Sequence, residues 1–288
     1  MKTNKIILFL LITLFLTGCV KDTDNKKTSS SIVATSPAIA DIMDKLNVDL
    51  AGVSESKVSK IPERYENVKK VGLAMSPDME IIKSIKPDYV FSPVSLISDL
   101  YPKYENGGIN YAFVNLNNIP GMFKSIEDMG KILNRQKEAD ILVKDYRDFI
   151  KDYRERTKNR KSKKVLILMG LPGSYVVATE NSYVGSLVKL AGAENVYTDK
   201  NEQFLNINPE DMLNKDPDII LRTSHAMPEE VNKMFRDEFK NNDIWKHFKA
   251  VKNNKVYDLD YKKFGMSAKF NYKEALKDLE EILYEKEN

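Results

Sequence analysis

The 288-residue chain is predicted to be an α/β protein, with two lobes of β-sheet flanked by helices, joined by one long α-helix, and a ligand cleft between the lobes. Three observations predict this. Short β-branched runs alternate with helical patterns in both halves, as in sheets covered by crossover helices. Val165 to Met169 is apolar at every position, the mark of a strand buried on both faces. Between the halves, Gln136 to Arg160 carries Ala139, Leu142, Val143, Tyr146, Phe149, Ile150 and Tyr153 at helical spacing, with no glycine or proline. At about 1.5 Å per residue that helix would run on the order of 35 Å, long enough to cross from one lobe to the other. The expected organisation is a leader at 1–18, a tether at 19–31, an N-terminal lobe at 32–135, the connecting helix at 136–160 and a C-terminal lobe at 161–288.

Taken in order, Ile32 to Thr35 reads as a strand, and Ser36-Pro37 as a helix start with a hydroxyl cap and proline at the first helical position. Ile39, Ile42, Met43 and Leu46 make that helix's buried face. Val48 to Val53 and Val68 to Gly72 are the next strands, and a helix follows at Pro77 to Ile85. Tyr89 to Ser92 and Tyr111 to Val114 are strands on either side of a helix-like stretch. In the second half, Ser182 to Ala191 is helical and ends at Gly192, Asp218 to Arg222 is a strand and Pro228 to Phe239 a helix. Val256 to Leu259 is a strand, and Tyr272 to Tyr284 closes the chain as a helix. Ser76-Pro77-Asp78 and Asn208-Pro209-Glu210 each read as a helix start, and Lys86-Pro87-Asp88 and Asp216-Pro217-Asp218 as the matching stops.

The amino end is an export signal. Lys2 and Lys5 precede an apolar run from Ile6 to Leu16, interrupted only by Thr13 and too short to span a bilayer, and Leu16-Thr17-Gly18-Cys19 fits a lipobox. Cys19, the only cysteine, is the expected site of acylation, and Asp22 to Ser31 the polar tether behind it. Without a second cysteine the exported fold relies on its core. The net charge of +3 falls to +1 once Lys2 and Lys5 are removed, and the tether takes one more positive charge. A nearly neutral body has no electrostatic footprint for nucleic acid, and membrane attachment would come from lipid. Two histidines are too few for most zinc sites.

In open α/β lobes, ligands collect at the carboxyl ends of strands. Gly72-Leu73-Ala74-Met75-Ser76-Pro77 follows a strand of the first lobe, and Thr223-Ser224-His225-Ala226-Met227-Pro228 follows one of the second. If the lobes face each other, Met75 and His225 approach one cleft from opposite sides. A thioether with an imidazole suits the two axial positions of haem iron better than it suits zinc. Met79 and Met227 compete with Met75, although methionine is ordinarily core filler and Met79 falls inside a helix. His247, in Trp245-Lys246-His247-Phe248, reads as structural. A serine hydrolase is a different reading of Leu171-Pro172-Gly173-Ser174-Tyr175, but no Gly-x-Ser-x-Gly elbow surrounds Ser174.

The runs Val165 to Tyr175, Met227 to Phe235 and Asn242 to Asn254 resemble the haem-receptor lipoproteins of Gram-positive iron-regulated surface determinant systems. These belong to the helical-backbone substrate-binding proteins of ABC importers for haem, cobalamin and iron-siderophores. The likeness extends over essentially the whole mature chain. It implies a non-enzymatic receptor, anchored by lipid on the outer face of the cell membrane, whose ligand is haem b (iron protoporphyrin IX). It further implies an ABC permease as partner, a cell-wall protein as upstream haem donor, and Met75 and His225 as the axial ligands. Thr35, Ser36, Lys57 and Tyr175 are the expected propionate or edge contacts, with the backbone amides after Ser36-Pro37 as an anion site. The family docks its permease through an acid on each lobe. Glu210 fits the second lobe; Lys69 and Lys70 stand where the first-lobe acid was expected, leaving Glu66 and Glu80 as candidates. A siderophore or cobalamin receptor is the alternative within the class.

Overall fold

The structure, a computed structural model, describes residues 30–56, 59–198 and 201–284. Cys19 and Lys57 lie outside those residues. Two six-stranded sheets follow one another along the chain. The first contains β1 (Ile32–Ala34), β2 (Gly52–Glu55), β3 (Lys69–Leu73), β4 (Ser76–Pro77), β5 (Tyr89–Pro93) and β6 (Tyr111–Val114), in the order β4-β3-β2-β1-β5-β6. All its pairings are parallel except the β3-β4 hairpin. The second contains β7 (Lys164–Leu171), β8 (Ser174–Ala178), β9 (Glu194–Asn195), β10 (Phe204–Leu205), β11 (Ile219–Ser224) and β12 (Val256–Asp258). Its order is β10-β8-β7-β11-β12, with β9 beside β7, and β8 runs antiparallel to both β7 and β10.

Central strands read as continuous apolar runs because helices cover both faces: Val165 to Met169 is buried throughout, as is Ile219 to Leu221. The first helix, Pro37–Lys45, starts as its sequence dictates, with the Ser36 hydroxyl accepting from the Ile39 amide at 3.3 Å. The following strand begins later than expected. Val48 still belongs to the helix end, its amide donating to Met43, and Asn47 turns the chain at φ 54°. Strand pairing therefore starts at Gly52 rather than Val48.

The connecting helix is Gln136–Thr157, three residues shorter than predicted. It packs along helix Ile119–Ile132, with Phe123 stacked on Tyr146 at 4.2 Å and Ala139 against Gly130. Its far half meets the closing helix Tyr272–Tyr284, where Tyr272 sits edge-on to Phe123 and Phe149. One hydrophobic cluster thus runs from Ile32 and Ile39 through Ile126, Val143 and Ile150 to Leu276 and Leu283. The helix is not the lobes' sole connection. The segment after β12 returns to the first lobe, where the Ala268 amide donates to the Leu116 carbonyl at 2.8 Å. Leu116 lies just past the carboxyl end of β6, and Ala268 follows the carboxyl end of β12. Phe264 of the same segment accepts from Thr223 near the carboxyl end of β11, so the segment joins the carboxyl end of β6 to that of β11.

Candidate functional site

On the first lobe, the β3-β4 hairpin is the feature that presents Met75. Leu73 pairs with Ser76 and Gly72 with Pro77, so Ala74 and Met75 form the two-residue tip. Gly72 has φ +83°, and an added Cβ would meet Ser76 O at 3.1 Å and Asp78 N at 3.2 Å, so the turn depends on glycine. The hairpin also displaces the helix start. Ser76 and Pro77 are strand, and the cap is Asp78, whose carboxylate accepts from the Glu80 and Ile81 amides at 3.0 Å. Met75 is 70% exposed, whereas Met79 packs against the cluster around Ile82 and Leu100. Exposure singles out Met75 as the free thioether of this lobe edge.

On the second lobe, β11 ends at Ser224 and the exposed His225 follows, its amide donating to the Gly170 carbonyl at 3.1 Å. Partial desolvation of the ring lowers its pKa below the ordinary 6.5. The shift favours the neutral imidazole, the form whose nitrogen lone pair can bind a metal. Packing, not that hydrogen bond, requires glycine at position 170. A Cβ there would lie 2.2 Å from Val231 and 2.8 Å from Phe235, so helix Pro228–Asn241 rests directly on the β7 backbone. Thr223 fixes the same strand end, donating its hydroxyl hydrogen to the Phe264 carbonyl at 2.7 Å.

The remaining expected contacts divide. Thr35 is fully buried; its hydroxyl donates to Phe91 O at 3.3 Å and shares a 2.8 Å hydrogen bond with Ser92, which is itself bonded to Tyr104. That chain of hydroxyls holds β1 to β5 and leaves Thr35 no side-chain atom for a ligand. The Ser36 hydroxyl is taken by Ile39, and Pro37 has no N–H, so the first open amide of that helix is Ala38's. Tyr175 turns into its own lobe, donating to Glu238 at 3.3 Å and packing on Phe235 and Trp245. Burial and the Glu238 charge push its pKa well above the usual tyrosine value.

Asp41 on the first helix and Lys269 on the returning segment act on each other across the lobe boundary. Burial raises the pKa of the carboxyl and lowers that of the ammonium, and each partially offsets the other's shift. Glu66 precedes β3 and so sits at the amino edge of its sheet, away from Met75. Glu80 is exposed at the start of helix Met79–Ile85, beside the hairpin, and Glu210 is exposed at the start of helix Pro209–Asn214, after β10. Of the two first-lobe acids, Glu80 is the one at the same edge as the site.

A sequence model of periplasmic binding proteins matches residues 32–262. The chain belongs to the periplasmic binding protein family. Particular relatives are much nearer than the family at large. The high-affinity heme uptake system protein IsdE of Staphylococcus aureus (strain Newman) is 41% identical over 293 aligned positions, covering 99% of each chain. Among solved structures, an ABC transporter substrate-binding protein from Listeria monocytogenes EGD-e matches with a TM-score of 0.84 at 48% identity. S. aureus IsdE complexed with heme matches with a TM-score of 0.84 at 42% identity. Both comparisons cover 89% of this chain and 99% of the other.

Sequence reading missed several residues that shape this periplasmic binding protein's cleft edge. Gly170 was given no role in the sequence, and only the helix lying on it gives the missing side chain a purpose. Asp78 was read as the third residue of a cap motif, since a two-residue strand containing proline leaves no periodicity to detect. Asp258 carried no signal at all, yet it grips Arg222 in a two-pronged ion pair at 2.7 and 2.8 Å.

Proposed function

We propose that this chain is a lipid-anchored receptor that binds haem between its lobes and delivers it to an ABC permease for iron uptake. One observation carries the reading: an exposed thioether and an exposed imidazole, Met75 and His225, follow the carboxyl ends of β3 and β11, one on each lobe. Two side chains fill two coordination positions. The other four must arrive with the metal, and a porphyrin supplies them in a plane that leaves the two axial sites open. The close likeness to IsdE proteins supports the same ligand. The Ala38 amide, at the positive end of the first helix, is a donor for a propionate. Cys19 would hold the protein to the outer face of the membrane, and a cell-wall protein would supply the haem.

Arg222 speaks against a siderophore. An anionic chelate needs free cations, but this guanidinium is paired with Asp258 and covered by Phe235 and Phe239, with its centre 5.4 and 4.7 Å from their rings. Nor is the chain read as an enzyme: Ser174 opens strand β8 of a hairpin, where a nucleophile elbow needs a strand-to-helix turn. Titrating haem into the purified protein tests the proposal. A 1:1 six-coordinate, low-spin absorption spectrum that excess cobalamin or ferric siderophore does not displace is the expected result. A high-spin spectrum, or ready displacement, refutes it.

Delivery should depend on Glu80 and Glu210, one acid on each lobe at the cleft edge. Reversing either charge to lysine is expected to lower haem transport through the permease about tenfold, the effect of ~1.4 kcal/mol at an interface. Haem binding itself should be unchanged, and Glu66→Lys should transport normally. Uptake by cells or vesicles carrying the permease measures this.

A further inference from the structure

We propose that Met227 is a second ligand for haem iron on the C-terminal lobe, competing with His225 for one axial position. The proposal rests on the haem reading above and adds a residue to it. β11 ends at Ser224 and helix Pro228–Asn241 begins after three residues, so the chain reverses within His225, Ala226 and Met227. Met227 completes the reversal in the left-handed region, at φ 49° and ψ 56°. A Cβ crowds the backbone there, and glycine is the residue that takes this conformation freely. The next residue is a proline, whose ring restricts its predecessor toward extended backbone. Met227 is thus held where its own side chain and its neighbour both oppose it.

Packing does not account for that choice. Met227 is 48% exposed and is part of none of the hydrophobic clusters of the described residues, whereas Met212 of the same lobe is wholly buried. Lys86 and Asp216 take the same left-handed conformation before a proline where a helix stops, so what sets Met227 apart is that the strain presents a large, exposed apolar side chain beside a ligand edge. What methionine offers over glycine is sulfur, a soft and polarizable donor on a side chain with three rotatable bonds.

Topology decides which position that sulfur can take. Met75 comes from the first lobe, His225 and Met227 from the second, and an iron between the lobes has one axial site toward each. Met227 therefore competes with His225 and not with Met75. Exchange breaks the iron–nitrogen bond as an iron–sulfur bond forms, with no proton or electron transferred, so this lobe keeps hold of the iron while the imidazole lets go.

The experiment compares haem adducts of His225→Ala with His225→Ala/Met227→Leu, in which leucine keeps bulk and backbone strain but has no donor. The single variant should remain low-spin, with thioethers on both faces. The double variant should become high-spin and release haem to excess apomyoglobin at least tenfold faster. In addition, Met227→Gly should raise the melting temperature of the haem-free protein by relieving the backbone. Identical spectra and release rates for the single and double variants would overturn the proposal, as would a high-spin His225→Ala adduct. Failure of the underlying reading looks different: the unsubstituted protein would not form a low-spin adduct, or His225→Ala would leave its spectrum and haem release unaltered.

Discussion

Replacing both Met75 and His225 by alanine is expected to weaken haem binding more than any other pair of substitutions. Disturbing even an outer-shell partner of a metal ligand typically costs on the order of 10–100-fold in affinity, so removing both axial donors should exceed that range. The single substitutions should separate by chemistry. His225→Ala removes the harder anchor and weakens binding by at least about 10-fold on the same scale. Met75→Ala should leave haem on the imidazole with a shifted Soret band, because Met79 packs against the cluster of Ile82 and Leu100 and is not free to replace it. Met79→Ala and His247→Ala are the controls and should bind normally. Should His247→Ala lose haem while His225→Ala keeps the unsubstituted spectrum, the ligand assignment is wrong. Absorption titration and haem-release rates provide both readings.

The largest expected effect on stability is at Trp245, the chain's only tryptophan. It is fully buried in the second lobe, stacked on Phe239 at 4.1 Å and Phe248 at 4.7 Å, and its indole N–H donates to Glu238 at 3.0 Å. Trp245→Ala should destabilise the protein by about 3–5 kcal/mol, the range for emptying a large aromatic site in a core. The loss is not confined to packing. Glu238 also accepts from Asn242 at 2.9 Å and from Tyr175, and removing the indole opens one corner of that cluster. Helix Pro228–Asn241 carries Phe235, Glu238 and Phe239, and begins three residues after His225's strand ends. Haem affinity should therefore fall together with stability. Urea unfolding followed by circular dichroism measures the first effect, since the substitution removes the fluorescent probe. A loss below about 1 kcal/mol would show that the site collapses around the cavity.

Much of this was legible locally. The alternation of strands and helices, the all-apolar run of β7, the Ser36-Pro37 and Asn208-Pro209 helix starts and the glycine-free connecting helix are each written in a few adjacent residues. Periodicity and capping depend on near neighbours, so the chain alone specifies them. The strand-end positions of Met75 and His225 follow from the same patterns, and the lipobox at Cys19 is legible only there, because it lies outside the described residues.

What the sequence left open was which polar groups remain free. Thr35 stands at a strand end and could have faced a ligand, but its hydroxyl is consumed by Ser92, 57 residues away. Arg222 could have held an anion, but Asp258, 36 residues on, neutralises it. Glu66 and Glu80 are both surface acids in the sequence, and only the direction of β3 puts one at the amino edge and the other beside the hairpin. A hairpin ending in Ser76-Pro77 moved the cap to Asp78 because pairing with Gly72 and Leu73 outweighed the local start signal. In each case the deciding partner comes from a different segment of the chain. Composition and periodicity tell which residues will be buried or helical, but the pairing of donors, acceptors and charges depends on contacts that exist only after the chain has folded.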